Sequence, residues 1–200
     1  MIQIYDLTGK NDLRFSPYCW RIKYLLNYKK IEYLTIPTTF SDRLNNPILS
    51  KHRLPTIIDD STIMSESLNI AKYIENNNTT KNNKVLPSKY REAIYHFNFW
   101  ADFNLNGSII KRVIFDIYDN LNELDKEYFL TTRTKRFGAT PYEYQKANLS
   151  NGHNDYETHC TFLNSILKDR NYIFGDKLSY ADIIILGSLK WGEQVSQNTK

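Results

Sequence analysis

Near the N-terminus the apolar positions recur every second residue. Ile2 and Ile4 alternate with polar neighbours as far as Asp6-Leu7, the pattern of a strand with one covered face. A polar loop from Thr8 to Phe15 follows. Pro17 then opens a stretch in which Trp20, Tyr24, Leu25 and Leu26 fall on a helical stripe. Ile31-Glu32-Tyr33-Leu34-Thr35-Ile36 returns to alternation and predicts a second strand. From Pro37 to Arg53 the chain is polar and irregular, and no element is predicted there. Thr56-Ile57-Ile58 and Thr62-Ile63-Met64 flank Asp59-Asp60-Ser61, a hairpin signal. Ser67 begins an amphipathic helix through Ile70, Tyr73 and Ile74.

Strand, helix and strand in so short a span form a βαβ unit, whose two strands run parallel. Followed by a hairpin and a helix, this is the element order of a thioredoxin-like fold. Beyond it, Asn, Thr and Lys dominate without apolar period, so a linker is expected over residues 78–88. After Pro87 the spacing turns helical, through Ile94, Phe97 and Trp100, then Ile109, Ile110, Val113, Ile114 and Ile117. The expected architecture is therefore an α/β domain over residues 1–77 and an all-helical domain over residues 89–200.

Composition narrows the class. At 41% apolar and 24% charged residues the chain is an ordinary globular mix, which argues against disorder. The net charge of +4 is scattered, with no dense basic stretch beyond Arg133-Thr134-Lys135-Arg136, so nucleic acid is not an expected partner. The longest strongly apolar run, Ile183 to Leu186, is far too short to span a bilayer. Met1-Ile2-Gln3-Ile4-Tyr5-Asp6 lacks the charge and apolar length of a signal peptide. Two cysteines, Cys19 and Cys160, make a poor disulfide framework and suit a reducing compartment, so a cytoplasmic location is expected. The four histidines show no metal-ligand spacing, and no metal is expected.

Candidate chemistry concentrates in three segments. Ser16 and Cys19 stand between the first strand and first helix, where redox proteins of this fold carry Cys-x-x-Cys. With serine leading, dithiol exchange through the motif is lost. A hydroxyl there donates a hydrogen bond to a bound thiolate, and a two-unit pKa shift of that thiol is worth about 2.7 kcal/mol. Ser16 serves equally well as a helix cap, and both readings stand at this point. Arg53-Leu54-Pro55 precedes the third strand, where this fold places a cis proline that exposes backbone groups to an extended peptide. Glu66-Ser67 sits at a strand-to-helix junction. Free N–H groups there attract a carboxylate while Glu66 receives an amine, though a plain Ser cap also explains Ser67.

Taken together, these segments resemble the glutathione transferase superfamily over most of the chain. Ser16 matches the catalytic position, Leu54-Pro55 the backbone-binding turn, and Glu66-Ser67 the γ-glutamyl motif. Tyr172 to Asp182 resembles the superfamily's signature in the helical domain, with Ser179 and Asp182 as a structural capping box. Phe15 to Arg21 and Phe129 to Gly138 are most similar to bacterial and fungal β-etherase-like members, which use glutathione to displace an aryloxide from β-aryl ethers.

The resemblance implies a glutathione S-transferase with glutathione as co-substrate. Ser16 would hold the thiolate, and Arg53, Leu54, Pro55, Glu66 and Ser67 would bind the peptide. A small hydrophobic electrophile is expected in an aromatic cleft near Tyr18, Trp100 and Phe103. A homodimer is implied too. The helical domain is expected to be shortened at its end, and Arg53 departs from the smaller or apolar residue usual there. Two alternatives remain: a non-catalytic glutathione or hydrophobic-ligand binder, and a protein-interaction scaffold of the same fold.

Overall fold

The computed structural model describes residues 1–77 and 84–196. Strand β1, Ile2–Leu7, alternates buried and half-buried positions, with Ile2, Ile4 and Asp6 on the covered face. Asp6 is charged yet fully buried, because Arg14 and Lys23 reach its carboxylate at 2.9 and 2.8 Å. Helix α1, Pro17–Lys29, starts from Ser16 as N-cap and stops at Lys30 in the left-handed region. Strand β2, Tyr33–Thr38, pairs parallel with β1 in the register Ile2↔Tyr33 to Leu7↔Thr38. It starts two residues later than the alternation predicted and includes Pro37, which an edge strand tolerates.

The stretch after β2 corrects the sequence reading. Phe40–Asn45 forms a short helix, α2, where only irregular chain was expected. A six-residue helix is too short to show a period. Its signal was instead the capping box, with Asp42 reaching back to the Thr39 backbone and the Thr39 hydroxyl accepting from Asp42 N–H. Strands β3, Thr56–Asp59, and β4, Thr62–Ser65, form the antiparallel hairpin, and helix α3, Ser67–Asn77, follows. The sheet order is β2-β1-β3-β4, with β1 antiparallel to β3. This is the thioredoxin-like arrangement.

The helical half comprises α4 (Arg91–Trp100), a π-turn over Ala101–Leu105, α5 (Asn106–Asp119), α6 (Glu123–Phe137), α7 (Pro141–Leu167) and α8 (Tyr180–Val195). Helix α8 packs along α1, and α7 along α5. The apolar run Ile183 to Leu186 belongs to α8, whose Ile183, Ile184 and Ile185 are buried between the two halves. One continuous core therefore spans sheet and helices. Among the described residues no helix is long and apolar enough to cross a membrane.

Part of the expected linker, residues 78–83, lies outside the described residues. Its far end is tied into the core. Val85 and Leu86 are buried, their N–H groups donate to the Glu75 carboxylate, and Glu75 pairs with Lys29 at 2.7 Å. The Val85 carbonyl accepts from Tyr180 N–H at 2.8 Å, which joins this segment to the start of α8. There the Ser179 N–H and hydroxyl both donate to Asp182 at 2.8 Å, and Asp182 also takes the Ile173 N–H. A charged carboxylate accepting three bonds fixes the entry to a buried helix.

Candidate active site

Ser16 ends the loop after β1, and its oxygen accepts the backbone N–H of Cys19 at 3.2 Å. That bond caps α1, and the Ser16 hydroxyl also lies within hydrogen-bond reach of the Cys19 thiol. The loop is held from α1, because the Trp20 indole N–H donates to the Arg14 carbonyl at 2.9 Å. Cys19 is fully buried, and burial together with the Asp6 charge pushes its thiol well above the ordinary range. It stays protonated at neutral pH, so an anionic sulfur in this site comes from a ligand.

The second segment lies opposite. The Leu54–Pro55 peptide is cis, and the Thr56 hydroxyl donates to the Arg53 carbonyl at 2.9 Å. In the third segment Glu66 has φ of 69°, a left-handed conformation uncommon for a residue with a Cβ. That turn lets β4 run directly into α3. Glu66 occupies the position before the first helical residue, and its carbonyl accepts from Ile70 N–H. Ser67 is thus inside the helix, not its side-chain cap, and its side chain meets the buried Tyr180 hydroxyl, which donates to the Ser67 carbonyl at 3.1 Å. The first N–H groups of α3 have no acceptor within the helix, an arrangement that can receive an anion. Arg53 Nε stands 3.9 Å from Glu66 Oε1, an exposed pair of little energetic weight.

These three segments border one cleft of about 1100 Å³ between the sheet domain and the helices. Ser16, Arg53, Leu54, Pro55, Glu66 and Ser67 all line it. Tyr18 and Phe103 line it too, Phe103 being 79% exposed and so available to a ligand. Burial and the Asp102 charge raise the Tyr18 hydroxyl pKa, so it remains a hydrogen-bond donor at neutral pH.

Trp100 is a correction. It is not among the residues that line the cleft; its ring packs on Phe97, His159 and Phe162 at centroid distances of 5.1, 5.6 and 5.2 Å. Trp100 and Phe103 would share a face of a regular α-helix. The π-turn that begins at Ala101 alters the phase and separates them.

Several lining residues escaped the sequence reading. Phe40 and Arg43 come from the unpredicted α2, and Asp102 from the π-turn. Arg133 and Arg136 belong to the basic cluster visible in the sequence, but nothing there showed which way they face. Among the described residues no group of three or more His, Cys, Asp or Glu side chains gathers as metal ligands.

A thioredoxin-like sheet joined to a helical bundle, with a capping serine, a cis-proline turn and a helix N-terminus around one cleft, defines the architectural class of the chain. Residues 12–82 match the family model for the N-terminal domain of glutathione S-transferases, and residues 93–200 match that for the C-terminal domain. The chain belongs to the glutathione S-transferase family. It is 27% identical over 146 residues to glutathione S-transferase D7 of Drosophila melanogaster. That match takes in 73% of this chain and 55% of the relative, so the chain spans about half the length of the curated relative. A Ceriporiopsis subvermispora glutathione S-transferase solved in complex with glutathione superposes with a TM-score of 0.82 at 25% identity, over 97% of this chain and 85% of that one. Glutathione transferase GSTFuA3 of Phanerochaete chrysosporium gives a TM-score of 0.86 at 20% identity, over 98% and 86%, a likeness of fold.

Proposed function

We propose that the chain is a glutathione transferase of the β-etherase-like kind, in which Ser16 stabilises the glutathione thiolate for attack on an aromatic electrophile. The observation that carries this reading is convergence. Ser16, Leu54-Pro55 and Glu66-Ser67, distant in sequence, line one cleft beside an open helix N-terminus. The glutathione complex of the fungal relative supports the choice of peptide.

In this reading glutathione extends along Leu54-Pro55, its γ-glutamyl carboxylate at the start of α3 and its amine toward Glu66. Its sulfur meets the Ser16 hydroxyl, which donates while its oxygen accepts from Cys19 N–H, a pairing that polarises the O–H. The thiol proton passes to water, sulfur attacks the electrophile, and the leaving group departs with its electron pair. The electrophile rests near Tyr18 and Phe103. An aryloxide leaving group suits the etherase-like resemblance, and a homodimer and a cytoplasmic location accompany the proposal.

The second reading, a non-catalytic binder, is favoured by the cap itself, because Ser16 is only 5% exposed and already has a structural task. Calorimetry with glutathione, run beside turnover of an aryl halide and a β-aryl ether, separates the two. Binding with turnover sustains the transferase, and ether cleavage sustains the subclass. Binding without turnover moves the assignment to the binder, and no binding rejects the site.

A further inference from the structure

The charges around the cleft do not balance. Three carboxylates line it, and each has a basic neighbour: Asp102 meets Arg21 at 2.7 Å, Asp155 meets Lys111 at 2.6 Å, and Glu66 faces Arg53 at 3.9 Å. Arg43, Arg133 and Arg136 line the same cleft and, among the described residues, pair with no carboxylate.

These three are not equivalent. Arg43 is engaged by protein acceptors, the Ser50 and His52 carbonyls at 3.5 and 3.1 Å and the Tyr128 hydroxyl at 3.4 Å. Arg136 is exposed to water. Arg133 is half-buried, and only its Nη1 is engaged, by the adjacent Thr132 hydroxyl at 3.0 Å. Its guanidinium carbon lies 4.5 Å from the Phe129 ring centroid and 5.7 Å from that of Phe40. Burial depresses its pKa, opposed by the Tyr128 hydroxyl and aided by the neighbouring Arg136.

The surroundings add a direction. Phe129, Phe40 and Phe15 form a buried aromatic layer, with centroids 6.0 and 6.1 Å apart in turn, that runs from beneath Arg133 to the residue preceding Ser16, and the half-buried Tyr128 packs on Phe40 at 5.4 Å and faces the cleft. A guanidinium offers a planar fork that fits a carboxylate through two parallel bonds. We propose that the electrophile this cleft selects is an anionic aromatic, its carboxylate held by Arg133 and its ring placed in the cleft beside the half-buried Tyr128. The assignment rests on the transferase reading above, and it makes Arg133 a specificity-determining residue.

The test uses two neutral-to-anionic pairs. The first is a chlorodinitrobenzoate and the corresponding benzamide, each offered with glutathione. Sulfur forms the new bond at the chlorinated carbon, chloride leaves with the carbon–chlorine pair, and the thiol proton goes to water. The kcat/KM ratio of benzoate to benzamide, divided by the ratio of their uncatalysed rates with glutathione, is expected to be about tenfold or more. It is expected to fall toward one in Arg133→Gln and to persist in part in Arg133→Lys, which keeps charge but not the fork. Being a ratio, it is insensitive to partial loss of folded enzyme. A wild-type ratio of one, or a ratio unchanged in Arg133→Gln, overturns the proposal. So does a retained ratio with a raised KM for glutathione, which would give Arg133 to the glycine carboxylate of the peptide.

The second pair, unreactive dinitrobenzoate and dinitrobenzamide, is read by calorimetry and needs no turnover. Tighter binding of the benzoate that disappears in Arg133→Gln supports the anion site even if glutathione transfer fails. Equal binding of the two overturns it whatever the fate of the transferase reading.

Discussion

The guanidinium of Arg21, fully buried in α1, meets the carboxylate of Asp102 at 2.7 Å across the junction between the two halves. Asn98 and Ser188 add contacts at 3.3 and 3.5 Å, so four elements converge on one cation. Removing Asp102 would leave that charge buried without its counter-ion. Asp102→Ala is therefore expected to destabilise the protein by about 3 kcal/mol. Urea unfolding followed by tryptophan fluorescence measures this, and a change below about 1 kcal/mol would show that the pair behaves like a surface one.

Ser16→Ala separates the cap from the catalyst. Loss of the bond to Cys19 N–H is expected to cost about 1 kcal/mol of stability. Loss of the thiolate donor is expected to lower conjugation kcat by roughly a hundredfold, with glutathione affinity nearly unchanged. Stopped-flow titration of bound glutathione at 240 nm would follow the thiolate itself. If the variant conjugates at the wild-type rate while melting lower, Ser16 only caps α1.

Gly187 lies within α8 against α1. Glycine to alanine in a helix ordinarily stabilises by about 1 kcal/mol. Here an added Cβ would stand 2.7 Å from Arg21 Cγ and 2.8 Å from the Pro17 carbonyl oxygen, and the latter is backbone and cannot swing aside. The sign is expected to reverse, with Gly187→Ala destabilising by about 1–3 kcal/mol. Thermal unfolding beside Gly107→Ala, where an added Cβ meets nothing within 4 Å, supplies the control.

Alkaline stability should fall through two buried acids. Burial raises the Cys19 thiol above its ordinary value of 9.0 and carries the Tyr180 hydroxyl up to about 12. In the fold both groups keep protons that the unfolded chain releases. Their contribution is complete below about pH 9 and is lost as pH rises toward the folded values, at up to roughly 1.4 kcal/mol per pH unit for each. Cys19→Ala is expected to flatten the decline measured by denaturant titration between about pH 9 and pH 11. An equal slope in the variant would show that Cys19 does not contribute.

Much of the candidate site was legible because its parts are local. Ser16 before Pro17, Leu54-Pro55 before a strand and Glu66-Ser67 before a helix are each recognisable within a few residues. What the hydrophobic period missed was short or irregular. Helix α2 has only Phe40 buried, and its cap alone announced it. Trp100 does not line the cleft, and the π-turn that follows it and changes the helix phase is invisible to a count by 3.6 residues.

The sequence by itself determined the sheet and helix order, since alternation and helical spacing are properties of neighbouring residues that one buried face imposes. It also named the residues bearing the candidate chemistry. Only the tertiary structure decided which of them meet. Whether Arg133 faces water or an aromatic cleft, whether Arg21 finds Asp102, and whether Val85 belongs to a linker or a core depend on long-range packing. Helical spacing assigns a side chain to a face, and the partner that covers that face comes from a distant part of the chain.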